Sequence, residues 1–153
     1  MEAVYFGNAS GGTMNHGGAG RGPWVQADLE KGLWSGSNTT TNEPTIVADF
    51  VVGMVKGRPG GWALKGGDAQ EASGLKTLYQ GPRPSDKTAH KALPGGGDYS
   101  PMKKEGALIL GVGGDNSDGA VGTFLEGAVT AGFAPDAADA AVHASVVAAR
   151  YGR

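Results

Sequence analysis

Residues 24–30 read WVQADLE, and the alternation of their side chains decides what kind of fold follows. Val25, Ala27 and Leu29 fall on one side of a period-two pattern, and Trp24, Gln26, Asp28 and Glu30 on the other. On a strand successive side chains point to opposite faces, so Asp28 and Glu30 share one. On a helix they would lie about 200° apart and would not be neighbours. The alternation therefore predicts a strand over 24–30, with Lys31-Gly32 permitting a bend after it. A strand face bearing Trp, Gln, Asp and Glu is either the solvated side of a sheet or the lining of a polar cleft. The solvated side is the commoner outcome for half-buried antiparallel sheets. Tryptophan beside carboxylates also suits a sugar ring, its face stacking on C–H groups while the acids bond hydroxyls.

Outward from this stretch, the apolar segments are short, rich in β-branched and aromatic residues, and separated by Gly, Pro, Asn or Ser. Further strands are predicted over 2–6, 46–56, 62–66, 75–79, 107–112 and 120–129. In 46–56, Ile46, Ala48, Phe50, Val52, Met54 and Lys56 share one face, with Val47, Asp49, Val51, Gly53 and Val55 on the other. That pattern fits a strand buried on most of both faces, as in a sandwich. One helix is predicted from Asp136 to Arg150. Asp136 and Asp139 in its first turn and Arg150 in its last match the macrodipole, and Gly152 suits a stop. Val142, Val146 and Ala149 form a stripe at helical spacing that would cap the sandwich. The stretch 81–101, with four prolines and a triple glycine, reads as a long surface loop or an insertion. The fold class expected is all-β, an antiparallel β-sandwich with one C-terminal helix.

The composition narrows the function. The chain has 153 residues, enough for a single domain spanning 1–153, and glycine supplies 29 of them without a G-X-Y repeat, which marks many turns. A net charge of −2 without a run of five like charges argues against a nucleic-acid partner or a basic membrane surface. No apolar run is long enough for a membrane-crossing helix. Cysteine is absent, which excludes disulfides, thiolate metal sites and a cysteine nucleophile within this segment. His16, His90 and His143 fit no metal-ligand spacing. The start, MEAVYFGN, lacks the layout of a signal peptide and reads like a strand entered midway, so the chain is expected to begin inside a larger domain.

A second stretch bears carboxylates. In 107–127, ALILGVGGDNSDGAVGTFLEG, an apolar strand runs into a glycine-rich turn. A dinucleotide loop would want a third glycine in register and a helix after it, and neither is present. A calcium loop aligned on Gly119 puts Gly114 at its first position and Leu125 where its glutamate belongs. Two readings stay open: a tight turn projecting Asp115 from a strand end into a cleft, and an ordinary Asx-type turn in which Asp115 bonds its own backbone. Asp68, also beyond two glycines, is the best decoy for a third carboxylate, and Trp62 reads as core.

Five stretches carry a resemblance: MEAVYFGNAS, GPWVQADLEKGLWSG, VVGMVKGRPGGWALKGGDAQ, YSPMKKEGALILGVGGDNSDGAVGTFLEGAVTAGF and VVAARYG. In this order they resemble the catalytic domain of family 54 glycoside hydrolases, the α-L-arabinofuranosidase B group. The resemblance implies a jelly-roll (concanavalin-like) sandwich, of which this chain is the C-terminal portion, in an extracellular enzyme. It implies removal of terminal arabinofuranose from arabinoxylan or arabinan, with retention of configuration and without a metal or organic cofactor. Matched residue by residue, Glu30 takes the nucleophile's place and Asp115 that of the general acid/base. Asp28 and Gly114 take sugar-contacting places, as does Lys31, where family members commonly carry asparagine. A retaining pair stands about 5–5.5 Å apart, and one of two carboxyls that close is expected to keep its proton. Partners are then arabinose-containing plant polysaccharides or oligosaccharides. A non-catalytic sugar-binding or structural sandwich, and a hydrolase for another furanoside or pentoside, remain as alternatives.

Overall fold

The computed structural model describes residues 2–7, 23–29, 33–34, 45–83, 108–110 and 122–153. Among these are seven strands and one helix: β1 (Glu2–Gly7), β2 (Trp24–Asp28), β3 (Leu33–Trp34), β4 (Val51–Arg58), β5 (Gly61–Asp68), β6 (Lys76–Gly81), β7 (Leu108–Ile109) and α1 (Asp136–Ala148). They form a four-stranded sheet in the order β3-β2-β1-β7 and a three-stranded sheet in the order β4-β5-β6. Pairing is antiparallel except between β1 and β7, which run parallel. The all-β sandwich with a C-terminal helix is thus the observed architecture.

Alternation on β2 falls as the sequence predicts. Val25, Ala27 and Leu29 join Ile46, Trp62 and Leu64 in one buried cluster, with Val4, Phe6, Val51 and Val55 packed against it. Two glycines set how closely the sheets approach. Gly53 and Gly66 pair across β4 and β5. A Cβ on Gly53 would meet Val4 Cγ1 at 2.7 Å, and one on Gly66 would meet Ile46 Cδ1 at 2.7 Å and Val25 Cγ2 at 2.9 Å. Valine is stiff about χ1 and cannot swing aside. Gly66→Ala is expected to cost about 1–3 kcal/mol by overpacking, read as a lowered urea midpoint.

Two predicted strands need correction. The stretch 46–56 does not run straight: β4 begins at Val51, after a bend at Asp49-Phe50, and continues to Arg58. The Ile46 amide donates to the Pro23 carbonyl at 3.0 Å, which ties this segment to the start of β2. The bend breaks the parity, so Ile46 joins the core with Val51 and Val55 while Lys56 faces the other way. Residues 122–129, predicted as part of a strand, carry no assigned strand, and Phe124, Leu125 and Val129 are exposed. No described strand pairs with them. Within 107–112, Leu108 and Ile109 form β7 and Leu110 bends; 111 and 112 lie outside the described residues, as does 84–101 of the predicted loop.

The helix is present and ends at Ala148, but its buried face is not the valine stripe. Asp139 and His143 are buried, whereas Val142 is 51% exposed. The cause lies on the outer face of the three-stranded sheet. Met54 pairs with Lys65 and Lys56 with Ala63, so the two lysines are diagonal neighbours on that face. Both ammonium groups donate to Asp139 Oδ2, Lys56 at 2.5 Å and Lys65 at 2.6 Å, and both reach Asp136 Oδ1, at 3.1 and 2.8 Å. Lys56 also donates to the Ala134 carbonyl and stands 4.5 Å over the Phe133 ring. His143 Nε2 lies 2.8 Å from the Asp68 carbonyl, which only accepts, so that nitrogen carries the proton. Beyond the helix, Arg150 takes a left-handed φ of 57°, and Tyr151 stacks on Phe50 and donates to Glu126 Oε1.

This clamp gives helix docking a pH window. Burial pulls the Lys65 ammonium down, but hydrogen bonds to Asp136 and Asp139 outweigh it and hold its pKa above the ordinary 10.5. Hydrogen bonds from Lys65 and Lys56 hold the Asp136 carboxyl below the ordinary 3.8. A raised base contributes stability below its unfolded pKa and loses it as pH climbs through the folded value. A depressed acid contributes above its unfolded pKa and loses it as pH falls through the folded value. The urea midpoint should therefore be flat between about pH 5 and 9 and fall on either side. Lys65→Met should flatten the alkaline fall.

Candidate active site

The candidate site is built on the face of the four-stranded sheet that turns away from the core. Register across β1 and β2 pairs Ala3 with Asp28 and Tyr5 with Gln26, so these residues share that face. The face is not solvated: Gln26 and Asp28 are each 0% exposed and Tyr5 is 5% exposed. Of the two outcomes open for this strand face, the solvated one is not found at Gln26 and Asp28. A carboxylate withdrawn wholly from water persists in proteins where donors surround it, and such arrangements cluster at sites that bind or react.

Sheet order fixes the relation of this face to the second carboxylate stretch. Ala3 pairs with Asp28 on one side and with Ile109 on the other. Asp28 and Ile109 therefore flank it in one row, two strand spacings or about 10 Å apart. β2 ends at Asp28, two positions before Glu30, and β7 ends at Ile109, six positions before Asp115. Because β2 opposes β1 and β7 parallels it, the chain leaves this row in opposite directions along the sheet.

Of the residues expected to act, Asp28 is seen and buried where the strand reading put it. Glu30, Lys31, Gly114 and Asp115 lie outside the described residues. Asp68, the decoy, is occupied otherwise: its Oδ1 accepts from the Gln70 amide at 2.7 Å in an Asx turn, and its carbonyl meets His143. Trp62 is core, as expected, at 1% exposure.

Sequence reasoning missed Glu2. It is buried on the core face of β1, where Oε1 accepts from Trp62 Nε1 at 3.4 Å and Oε2 from Arg83 Nε at 3.4 Å. A glutamate in a strand otherwise apolar at its core positions was the available signal. Glu2 stands on the opposite face of the sheet from Asp28, so it serves the sandwich interior rather than the polar surface.

The family model described as "Alpha-L-arabinofuranosidase B, catalytic" matches residues 1–152. An α-L-arabinofuranosidase of Hypocrea jecorina and an arabinofuranosidase/B-xylosidase of Trichoderma koningii are each 48% identical over 153 residues, 99% of this chain. An α-L-arabinofuranosidase B of Emericella nidulans is 49% identical over 154 residues. The chain spans 28% of the length of each of these relatives. Among solved structures, a mutant GH54 α-L-arabinofuranosidase soaked with 4-nitrophenyl α-L-arabinofuranoside superposes with a TM-score of 0.72 and 41% identity. That match covers 98% of this chain and 29% of the other.

Proposed function

The chain belongs to the α-L-arabinofuranosidase B catalytic-domain family, and we propose that it carries the reacting carboxylates of a retaining, exo-acting, extracellular α-L-arabinofuranosidase. The substrates are terminal arabinofuranosyl groups of arabinoxylan or arabinan. The observation that carries this reading is the buried polar face of β2, which ends at Asp28.

In the proposed reaction the Glu30 carboxylate attacks C1 of the arabinofuranose, and the C1–O bond to the leaving group breaks. Asp115 gives its proton to the departing oxygen. Asp115, now a carboxylate, then takes a proton from water, whose oxygen attacks C1 and releases Glu30. Two inversions at C1 amount to retention. Asp28 accepts hydroxyl protons of the sugar and shares the donors that keep Glu30 ionised. The six residues from Ile109 to Asp115 include three glycines and reach about 20 Å extended, twice what the two strand spacings require. A turn back toward β2 is therefore within their length. The chain is read as the C-terminal portion of that catalytic domain.

The test is release of 4-nitrophenol from 4-nitrophenyl α-L-arabinofuranoside. Sustained turnover supports the reading, and saturable arabinose binding without turnover would replace it with a sugar-binding sandwich. A second reading, hydrolysis of xylosides as well, is favoured by the arabinofuranosidase/B-xylosidase name of one relative and by Lys31 at a position where family members commonly carry asparagine. A parallel assay with 4-nitrophenyl β-D-xylopyranoside decides it. Lys31→Asn is expected to change the ratio of the two rates by about tenfold, since a charged donor is exchanged for a neutral one.

A further inference from the structure

Residues 122–130, GTFLEGAVT, run for nine positions without a turn or a bend, and β-favouring Thr123, Phe124, Val129 and Thr130 are among them. Yet no described strand pairs with them, and among the described residues no backbone hydrogen bond reaches them. Their apolar side chains are not covered either: Phe124, Leu125 and Val129 stand open, Val129 at 61%. The run lies beside the outermost strand of the four-stranded sheet. A Cβ on Gly127 would meet Leu110 Cδ1 at 2.8 Å and Phe124 Cζ at 2.9 Å, and Leu110 directly follows β7. Leu108 and Leu110 are themselves exposed, so the open apolar surface is continuous from the sheet edge to the run. Glu126 is the one charge in the run, and it is turned to the helix side, where Tyr151 donates to it at 2.6 Å. What is left open is an uncharged row of amides, carbonyls and apolar side chains.

We propose that residues 122–130, with Leu108 and Leu110, form a docking edge, and that its occupant is a β-strand from the part of the arabinofuranosidase catalytic domain that this chain does not span. Backbone pairing along an open run of this kind gives affinity, and apolar side chains on the incoming strand cover Phe124, Leu125 and Val129. An uncharged strand suits it, because the single carboxylate is already satisfied from the helix side. The relatives supply the source, since the matched stretch makes up 28% of their length. A second copy suits the edge less well. Antiparallel pairing of the run with itself, centred on its middle, sets Glu126 against Glu126, and like charges directly opposite destabilise a sheet. The inference rests on the arabinofuranosidase reading and deepens it: the run starts seven positions after Asp115, so its pairing anchors one end of the stretch that carries the proposed acid/base.

The experiment is co-expression of this chain with the polypeptide that precedes the matched stretch in the Hypocrea jecorina relative, read by complex mass and by hydrogen exchange of the 122–130 amides. The expected result is a one-to-one complex in which those amides exchange at least about a hundredfold more slowly than in the chain alone. Leu125→Pro removes an amide donor, and Val129→Lys places a charge on the covered face. Each should weaken the complex at least about tenfold and leave the free chain folded, since both positions are open in it. Val142→Lys, on the exposed side of α1, should leave the complex unchanged. Absence of a complex, a complex indifferent to Leu125→Pro and Val129→Lys, or protection of 122–130 by a homodimer alone overturns the inference. If the separate polypeptide is insoluble, the exchange measurement is made on the two joined as one chain, and amides that still exchange at the free rate overturn it. Release of 4-nitrophenol by this chain alone, with no complex formed, overturns the docking edge and leaves the hydrolase reading intact. A complex that forms as expected and shows no turnover overturns the hydrolase reading alone.

Discussion

Glu30→Gln is expected to lower kcat on 4-nitrophenyl α-L-arabinofuranoside by at least about 10³-fold, with the urea midpoint little changed. The amide keeps the size and most bonds of the carboxylate but cannot form the acyl-type ester to C1 on which double displacement depends. Asp115→Asn should behave differently, and the difference identifies the roles. A 4-nitrophenolate leaving group needs little protonation, so the first step survives in that variant, while the second slows for want of a base. A burst of 4-nitrophenol followed by slow turnover is the expected trace. Added azide should restore the rate in Asp115→Asn, by attacking C1 without needing a base, and should do nothing for Glu30→Gln. Azide rescue of Glu30→Gln instead would reverse the two assignments.

The largest stability effect is expected at Asp139. This carboxylate is buried and accepts from two buried lysines, so Asp139→Ala leaves two ammonium groups facing the helix with, among the described residues, the exposed Asp136 alone for charge. Breaking a buried pair from one side typically costs about 3–5 kcal/mol. Burying charge is itself expensive, so replacing all three together, Lys56→Met, Lys65→Met and Asp139→Leu, should recover most of the loss. The measurement is urea unfolding of the parent, the single variant and the triple variant. A loss under about 1 kcal/mol in Asp139→Ala would mean that the helix is held by other contacts.

That clamp also marks where sequence reading stops. Alternation on β2 was legible because one face is wholly aliphatic and the other wholly not, and Val25, Ala27 and Leu29 were found in the core accordingly. The helix was legible from its charges and the proline before it. Which side it buries was not, because apolar spacing pointed to Val142 and Val146 while the sheet beneath presents Lys56 and Lys65. A helix face is chosen by its partner surface, and pairing two lysines diagonally across β4 and β5 is a property of register that no local pattern reveals. The bend at Asp49-Phe50 was hidden for a similar reason. Ile46 follows an alternation that continues unbroken through the sequence, while its amide is claimed by the carbonyl of Pro23, just before β2. In the candidate site, the shared face of Asp28 and Gln26 was legible, but its burial was not, since period-two patterning does not say what covers a polar face.

The most direct measurement of the central claim is covalent trapping. A 2-fluoro-arabinofuranosyl fluoride, which forms the glycosyl-enzyme quickly and hydrolyses slowly, should add one sugar to the protein, and peptide mass spectrometry should find it on Glu30. A label on any other residue, or turnover without a trapped sugar and with inverted configuration at C1, would contradict the account.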